Sequence, residues 1–556
     1  MKRILAFFVL LALLAAACRG PRSAAAMAGG KAPFFWENAT VYFLLTDRFQ
    51  NGNLNNDTNF GRKLPCAPGR GFMGGDIAGI TRHIRAGYFD SLGVDAIWLT
   101  PVVEQIHGQV DEGSGKTYGF HGYWAKDWTA LDPNFGTEKE LAEMVEAAHR
   151  RGIRVILDVV INHTGPVTDQ DPIWPSDWVR NSPKCTYKDY ATTTACTLVD
   201  NLPDVKTEST AAVGLPPQLT EKWRREGRLE RETAELDAFF ARTGYPRTPH
   251  HYIIKWLTDY IRKYGIDGFR CDTAKHLEEG VWAELRVQAD LAFADWKRAN
   301  PAKKLDDQPF YMVGEVYGYN IANGRQYDFG DRKVDYYAYG FTSLINFGAK
   351  YDAKLPYEQM FAQYSAQLQG PLKGYTVLNY LASHDDGDPY DPTREKAIEA
   401  GTRLLLCPGQ AQIYYGDETA RPLVYPGAQG DAKLRTFMNW DELSANSARG
   451  GHYVSEVLAH WRKIGTFRRQ HPSVGMGVHT MLSQQPYVFQ RVLEKDGVRD
   501  ATVAGLDLPA GAKTIPVGKV FANGDVLRDY YSGQRVRVKE GKVTIDSPFS
   551  IVLLGK

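Results

Sequence analysis

The sequence predicts an α/β protein built on a closed (β/α)8 barrel, a TIM barrel, followed by a C-terminal antiparallel β domain. Three observations lead to this fold class. First, amphipathic helices that end at a glycine and run into short buried strands recur along several hundred residues. Second, a doubly wound fold is the alternative, but no G-x-G-x-x-G motif follows the first strand. Third, from about residue 471 the helices give way to short β-rich runs separated by glycine-containing turns.

Four helix–glycine–strand units can be followed in chain order. The second shows the pattern best, because Thr137 and Glu140 form a capping box before a helix that ends at Gly152. The strands that follow are rich in β-branched and other apolar residues, as expected for strands covered on both faces. The predicted helices include 80–92, 137–148, 254–264 and one passing through Leu404, and the strands after them are 94–99, 153–161, 266–270 and 411–415.

These patterns divide the chain into segments. The irregular stretch 164–249, with one charged helix predicted over 221–242, is typical of a domain inserted after the third strand. The C-terminal strands are predicted at such runs as 517–521 and 545–554. We therefore expect the following organisation: first part of the barrel 33–163, inserted domain 164–249, second part of the barrel 250–470, antiparallel β domain 471–556.

Composition limits the function. The 556 residues include 66 basic and 65 acidic side chains, a formal net charge of +1, which argues against a nucleic-acid-binding protein. Hydrophobic residues make up 43% of the chain, enough for a large core and too many for a disordered protein.

The N-terminus is typical of an export signal. Two basic residues precede an apolar run that ends at Ala17, which predicts a signal peptide over 1–17. The residues before Cys18 resemble a lipoprotein box that would place a lipid on Cys18, and a plain cleavage near 26–28 is the alternative. We expect a periplasmic, extracellular or lipid-anchored protein, with no membrane contact other than that lipid.

The other cysteines have different expected roles. Cys185 and Cys196 are close in an irregular segment, and export permits a disulfide between them. Cys271 and Cys407 lie in apolar runs and should be buried as small hydrophobic side chains. Cys66 has no evident partner.

Polar residues close several of the predicted strands, where a barrel carries its catalytic groups. Three carboxylates, Asp272, Glu315 and Asp385, fall on three separate strands. Cleavage of a glycosidic bond needs one carboxyl group to protonate the leaving oxygen and another to attack or stabilise the sugar carbon. Spacing alone does not distinguish such a site from buried ion pairs or a metal site.

Four segments decide between these alternatives. In order they resemble the signature regions of glycoside hydrolase family 13, the α-amylase family: 158–163, 268–276, 314–315 and 381–385. Further similarity extends the resemblance over roughly 36–556, at 93–101, 202–204 and 408–418. The segments 104–108, 121–124 and 202–210 are most similar to the bacterial periplasmic α-amylase branch.

The resemblance implies roles for individual residues. Asp272 would be the nucleophile, Glu315 the general acid/base and Asp385 the transition-state stabiliser. Arg270, on the same strand face as Asp272, would keep that carboxylate ionised. The remaining residues implied to bind substrate are Phe120 as a stacking ring, Asp158, the pair His163 and His384 that would hydrogen-bond the sugar at the cleaved bond, and Lys275 and His276 that would contact the leaving-group sugars.

The resemblance also implies calcium. A first site would use Asn162, Asp204 and the backbone carbonyl of His276 as oxygen ligands that tie the insertion to the barrel. A second resembles a calcium loop of some family members, with an ordinary Asn-rich turn as the alternative. Its residues are Asn51, Asn53, Asn56, Asp57, Gly74 and Asp76. Ser383 stands where chloride-dependent relatives carry Asn, so no chloride requirement is expected.

The function that follows is a retaining, endo-acting α-amylase that hydrolyses α-1,4-glucosidic bonds in starch and maltodextrins. Alternatives are a glucanotransferase, a cyclodextrin- or maltodextrin-degrading member of the same family, and an inactive glucan-binding relative. The intact Asp272, Glu315 and Asp385 argue against the last of these. We expect a monomer whose partner is an α-glucan polysaccharide or oligosaccharide and which does not bind nucleic acid.

Overall fold

The computed structural model describes residues 33–556, so the predicted signal peptide 1–17 and Cys18 lie outside the described residues. Contacts within this part of the chain separate two compact units, Phe34–Arg469 and the segment from Gln470 to Lys556. None of the helices in the described residues has both the length and the apolar character needed to cross a bilayer.

Eight parallel strands close into a barrel in the first unit, which confirms the predicted fold class. Each strand pairs with its neighbours in chain order, and the first pairs with the last. Every residue in these strands is buried, as expected for a parallel sheet covered by helices outside and by side chains inside. The strands are β1 Thr40–Leu44, β2 Ala96–Leu99, β3 Arg154–Val159, β4 Gly268–Cys271, β5 Tyr311–Gly314, β6 Ser343–Asn346, β7 Thr376–Tyr380 and β8 Gln410–Tyr414.

The helices follow the strands except between β5 and β6, where the described chain has the 3-10 turns Ile321–Asn323 and Tyr336–Tyr339. The capping box at Thr137 is present as predicted. The predicted helix 80–92 is divided by Gly87, whose φ of 78° lies in the left-handed region. The long helices are α1 Ile77–Arg85, α2 Glu138–Arg150, α3 Pro249–Tyr264, α4 Glu279–Ala299, α5 Tyr357–Gln369, α6 Ala397–Leu405 and α7 Val454–Gln470, and the short ones in this unit are Thr46–Phe49, Tyr88–Ser91, Ala191–Thr194 and Trp440–Ala445, with Ala349–Asp352 before α5.

The segment between β3 and α3 is irregular, as expected of an insertion. The single helix predicted over 221–242 is wrong, because the chain forms two helices, Pro217–Arg225 and Leu229–Thr243. Gly227, with φ of 68°, separates them. The disulfide between Cys185 and Cys196 is confirmed, with Cα atoms 4.9 Å apart.

The second unit contains a six-stranded antiparallel sheet and a separate two-stranded pair, as the sequence predicts for a β domain. The strand predicted at 517–521 is wrong. Val517 and Phe521 are buried in the core of the unit, but the chain between them forms a turn, with Gly518 at φ of 58°. The sheet order is Val478–Ser483, Tyr487–Lys495, Val498–Leu506, Val552–Gly555, Val526–Asp529, Arg535–Arg537, and the pair is Gly511–Pro516 with Lys542–Ser547.

Candidate active site

The carboxyl ends of the barrel strands bring the three predicted catalytic carboxylates to one rim. Asp272 directly follows β4, Glu315 directly follows β5, and Asp385 lies in the loop after β7. Because these strands are parallel and closed into one barrel, residues distant in sequence share this edge. Asp272 and Glu315 are each 6% exposed, so both carboxyl groups are largely shielded from bulk water.

One buried guanidinium connects the carboxylates. Arg270, in β4, places Nη1 at 2.6 Å from Oδ1 of Asp272 and at 2.9 Å from Oδ1 of Asp158. Its Nη2 lies 3.0 Å from Oε1 of Glu315. The Arg270 side chain is 1% exposed, so these charges interact in a medium of low dielectric constant and depend strongly on one another. The arrangement fits the predicted role of Arg270 beside Asp272.

Glu315 is held in conditions that favour its protonated form. Burial raises the pKa of Glu315 well above its usual value, Asp272 and Asp385 raise it further, and Arg270 opposes them. Its Oε2 accepts a hydrogen bond of 2.8 Å from the backbone N–H of Thr273. Thr273 has a φ of 48°, uncommon for a β-branched residue, and this left-handed backbone accompanies the contact. A carboxyl group in this state can donate a proton near neutral pH.

The surroundings of Asp385, in contrast, favour its ionised form. Burial would raise the pKa of Asp385, but His384 and Arg270 outweigh it, and the pKa is lowered. Ser383 donates to Oδ1 at 3.3 Å, and Nε2 of His384 lies 3.6 Å from Oδ2. The rim therefore presents one carboxyl group that favours its proton and another that favours its charge, the division of roles that acid/base chemistry requires.

Asp158 was expected to contact substrate, and the structure corrects this. Its side chain has no exposed surface. Trp98 donates to Oδ2 at 3.1 Å and the Tyr123 hydroxyl donates to the same oxygen at 2.8 Å, while Arg270 uses Oδ1. Burial raises the pKa of Asp158 to about 7. Asp158 therefore supports Arg270 and Tyr123 from below the rim.

The expected stacking role of Phe120 is also wrong. Phe120 is 1% exposed, and the guanidinium of Arg48 lies 3.9 Å from its ring centroid, so its ring has no free face for a sugar. Tyr123 is the aromatic residue at the rim, stacked 5.3 Å from His384 and hydrogen-bonded to Asp158. In the sequence, Tyr123 stands out only as part of the 121–124 segment. That segment indicated similarity to the bacterial periplasmic α-amylase branch and was not assigned a role in substrate stacking.

The histidines of the site are neutral at ordinary pH. Burial lowers the pKa of His384 to about 3 and also lowers that of His163. Nε2 of His163 lies 3.1 Å from the backbone carbonyl of Tyr123. Neutral imidazoles can both donate and accept hydrogen bonds, which suits contact with sugar hydroxyl groups.

The two residues predicted for the leaving side differ in their surroundings. Lys275 donates to the Tyr317 carbonyl at 3.1 Å and to the Tyr327 hydroxyl at 3.2 Å, beside a largely exposed Tyr317 ring. His276 is buried, and its Nδ1 lies 2.9 Å from the carbonyl of Thr193 in the insertion. Lys275 thus lies among aromatic rings suited to sugar contact, whereas one nitrogen of His276 is used to hold the insertion.

The residues of the first expected calcium site come together around a buried carboxylate. Asn162 and Asp204 are adjacent, because the Asn162 carbonyl accepts from Val205 N–H at 2.8 Å. However, Nε of Arg180 lies 2.8 Å from Oδ2 of Asp204. This guanidinium does not satisfy the carboxylate, because both oxygens of Asp204 are buried without a hydrogen-bond partner and burial raises the pKa of Asp204 to about 8 in spite of Arg180. Unpaired buried carboxylate oxygens are donors that calcium prefers. The sequence offered no motif by which to anticipate Arg180.

The residues of the second expected calcium site are brought together and fit an oxygen-binding cation. Asn51 donates to Oδ1 of Asp57 at 2.8 Å, and a Cβ built on Gly74 would lie 2.4 Å from the Asn51 amide. Buried oxygens of Asn51 and Asn56 have no hydrogen-bond partner. Unpaired buried amide and carboxylate oxygens are the donors that calcium prefers.

The remaining two residues of this set act differently. Asp76 accepts backbone N–H groups from Gly52 at 3.0 Å and from Asn53 at 2.8 Å, and it caps α1 by accepting from Gly79. It therefore shapes the loop around Asn51, Asn56 and Asp57. Asn53 enters these contacts through its backbone, and its side-chain oxygen accepts from Asn55 N–H at 3.2 Å.

Comparison with known proteins gives a consistent result. The family model described as the alpha amylase catalytic domain matches residues 43–448. The chain is 38% identical over 518 residues to the periplasmic alpha-amylase of Escherichia coli K12, covering 83% of this chain and 71% of that protein. It is 26% identical to the cyclomaltodextrin glucanotransferase of Geobacillus stearothermophilus, covering 87% of this chain and 65% of that enzyme.

Solved structures share the fold. An alpha-amylase from Geobacillus thermoleovorans, solved with acarbose, aligns with a TM-score of 0.62 at 22% identity and covers 94% of this chain and 99% of its own. At this identity the similarity bears on the fold alone.

Proposed function

This chain belongs to the α-amylase family of glycoside hydrolases, and from that premise we propose that it is a retaining α-amylase cutting α-1,4-glucosidic bonds within starch and maltodextrin chains. The observation that carries the proposal is the single guanidinium of Arg270 in contact with both Asp272 and Glu315. It joins a nucleophile and an acid from neighbouring strands, while burial keeps a proton on Glu315.

In this proposal Asp272 attacks the anomeric carbon and Glu315 gives its proton to the leaving glycosidic oxygen, so that one C–O bond forms as another breaks. Glu315, now ionised, then removes a proton from water, which attacks the same carbon and releases Asp272. Asp385 remains charged and stabilises the positive charge that develops on the sugar in both steps.

Binding of the sugar at the cleaved bond is assigned to neighbouring side chains. Tyr123 supplies the aromatic face, and His163 and His384 supply neutral hydrogen-bonding groups. Lys275, between Tyr317 and Tyr327, is assigned to the leaving side. His276 contributes indirectly by holding the insertion through Thr193.

Hydrolysis and glucan transfer share this chemistry, because water and a sugar hydroxyl compete for the same covalent intermediate. The similarity to a periplasmic alpha-amylase over most of both chains supports hydrolysis, and the weaker similarity to cyclomaltodextrin glucanotransferases keeps transfer as the second candidate. Export is supported by the same relative and by the disulfide of Cys185 and Cys196, since such bonds persist in oxidising compartments.

Product analysis tests the proposed reaction. We expect linear maltodextrins of the α-anomeric form from maltoheptaose, observed by NMR directly after cleavage, because two displacements at one carbon restore its configuration. On amylose, iodine colour should fall before much reducing sugar appears, because internal cuts shorten long chains first. Initial β-anomer would contradict the mechanism, cyclodextrin products would favour the transferase, and glucose release with persistent iodine colour would contradict endo action alone.

Calcium binding is proposed at both sets of residues, and at the first set Asn162, Asp204 and the backbone carbonyl of His276 would tie the insertion to the barrel. Members of this family commonly bind calcium, and at the second set Asn51, Asn56 and Asp57 would hold an ion that stabilises the loop before α1. Because an ion bound only to the folded state adds RT ln(1 + [L]/Kd), calcium at 100 times Kd should add about 2.7 kcal/mol to the free energy of unfolding.

The variants that test calcium binding follow from the two sets of residues. In chelator-treated protein, added calcium should raise the Tm of the wild type, and Asn162→Ala and Asp57→Ala should each show a smaller rise. This result is expected because each substitution removes an oxygen donor from one of the two sets of residues. An unchanged calcium response in one of the two variants would remove the site to which that residue belongs, and no response in the wild type would remove both.

A further inference from the structure

A second group of ionisable side chains lies outside the catalytic rim. His250 and His251, in the first turn of α3, approach Glu284 of α4. Nε2 of His250 lies 3.3 Å from Oε2 of Glu284, and Nε2 of His251 lies 3.2 Å from the same oxygen. Their possible metal-ligand atoms all lie within 4.8 Å of one another, and among the described residues no other group of three or more His, Cys, Asp or Glu side chains is this compact.

These separations match the edges of a small coordination tetrahedron. Zinc bonds to imidazole nitrogen and carboxylate oxygen at ~2.0–2.1 Å, so tetrahedral ligand atoms stand ~3.3 Å apart. The two nitrogen-to-oxygen distances, 3.3 Å and 3.2 Å, have this length. Two imidazoles and one carboxylate are also a donor set typical of zinc, whereas calcium takes six to eight oxygens.

Thr248 orients both rings. Its Oγ1 lies 2.7 Å from Nδ1 of His251 and 3.3 Å from Nδ1 of His250, and Thr248 itself is fully buried. A hydroxyl group has one proton, so it cannot donate to both rings, and at least one Nδ1 must carry the hydrogen. In a neutral imidazole that leaves the corresponding Nε2 as a bare acceptor, the form that binds metal.

Hydrogen bonding does not account for the group as it stands. Nε2 of His251 is buried, in a residue 4% exposed, and Oε2 of Glu284, 3.2 Å away, is not at an angle that makes a hydrogen bond with it. A buried ring nitrogen without a partner is unfavourable and calls for a ligand. The Glu284 side chain is 37% exposed, so an ion can reach the group from solvent.

We propose that His250, His251 and Glu284 bind a divalent transition-metal ion, with Zn2+ as the best match and water at the fourth position. The two histidines directly follow the point where the insertion returns to the barrel, and Glu284 lies on the next barrel helix. The bound ion joins the end of the insertion to α4. This site is separate from the proposed calcium sites and does not depend on the substrate of the enzyme.

The full-length protein, freed of metal and then saturated with calcium, tests the proposal with ZnCl2 as the probe. Titration calorimetry should show one Zn2+ per chain, accompanied by a rise in Tm. His251→Gln and Glu284→Gln should each weaken binding at least 10-fold, and Thr248→Val should weaken it about 10- to 100-fold as a residue that orients ligands. His452→Gln, at a histidine outside the group, is the matched control and should bind as the wild type does.

Cobalt gives an independent readout. Co2+ at a four-coordinate site of this kind should produce visible absorption that titrates to one equivalent. The absorption should disappear in Glu284→Gln. This substitution leaves the core packing unchanged, because the Glu284 side chain is 37% exposed. Absence of saturable Zn2+ binding in the wild type would overturn the proposal. Equal zinc affinity in the wild type, Glu284→Gln and His251→Gln would overturn it as well.

Discussion

Asp272→Asn and Glu315→Gln are each expected to reduce turnover of maltoheptaose by several orders of magnitude while leaving the protein folded. An amide at position 272 cannot form the covalent intermediate, and an amide at position 315 cannot supply the proton. General acid catalysis alone accounts for about 10²- to 10⁴-fold in rate. Both side chains are small neutral isosteres of the originals, so the packing around Arg270 is retained.

The measurement is a reducing-sugar assay on purified variants whose Tm is determined in parallel. Glu138→Gln, at an exposed position on α2, is the matched carboxylate-to-amide control and should keep full activity. The pH profile adds a second readout. Since the pKa of Glu315 is raised, the wild type should lose activity as pH rises through that pKa, and Glu315→Gln should lack this alkaline limb. Near-normal activity in either active-site variant would refute the assigned roles.

Arg270→Met is expected to be the most damaging single substitution for both stability and activity. Arg270 contacts Asp158, Asp272 and Glu315 with its side chain 1% exposed, so its removal leaves buried carboxylates without a counter-charge. Breaking a buried ion pair by removing one partner costs about 3–5 kcal/mol. Turnover should fall with stability, because Arg270 is the group that contacts both Asp272 and Glu315.

Denaturant unfolding followed by two probes measures the loss of stability. Arg270→Lys should recover only part of it, because one ammonium group cannot reproduce the planar fork that reaches three carboxylates. The deficit of Arg270→Met should shrink as pH falls, since protonation removes the repulsion among the carboxylates. Arg298→Met, at a side chain 72% exposed, is the control and should change stability by no more than about 0.5 kcal/mol. A similarly small effect of Arg270→Met would contradict this account of the site.

Several features could be predicted from the sequence because they depend on neighbouring residues. The alternation of helices, glycines and apolar strands predicted the barrel, and the eight strands close as expected. Once the strands are parallel, Asp272 and Glu315 must share a rim, since each ends a strand. The disulfide of Cys185 and Cys196 could also be predicted, because the two cysteines are close along the chain, and the structure contains this pair.

Other features were decided only when distant segments packed together. Phe120 and Tyr123 are three residues apart and both aromatic, yet Arg48, from the segment after β1, covers the ring of Phe120. Arg180 approaches Asp204 because two short strands pair within the irregular insertion. The sequence of the insertion has no hydrophobic periodicity from which this pairing could be predicted.

The grouping of His250, His251 and Glu284 has the same origin. The three residues stand on two helices whose relative rotation is set by packing. Local patterns in the sequence determine which residues end a strand or begin a helix. Tertiary packing determines which side chains meet, because contact between distant segments depends on shape and on the pairing of buried charges, and neither is encoded in any one stretch of the chain.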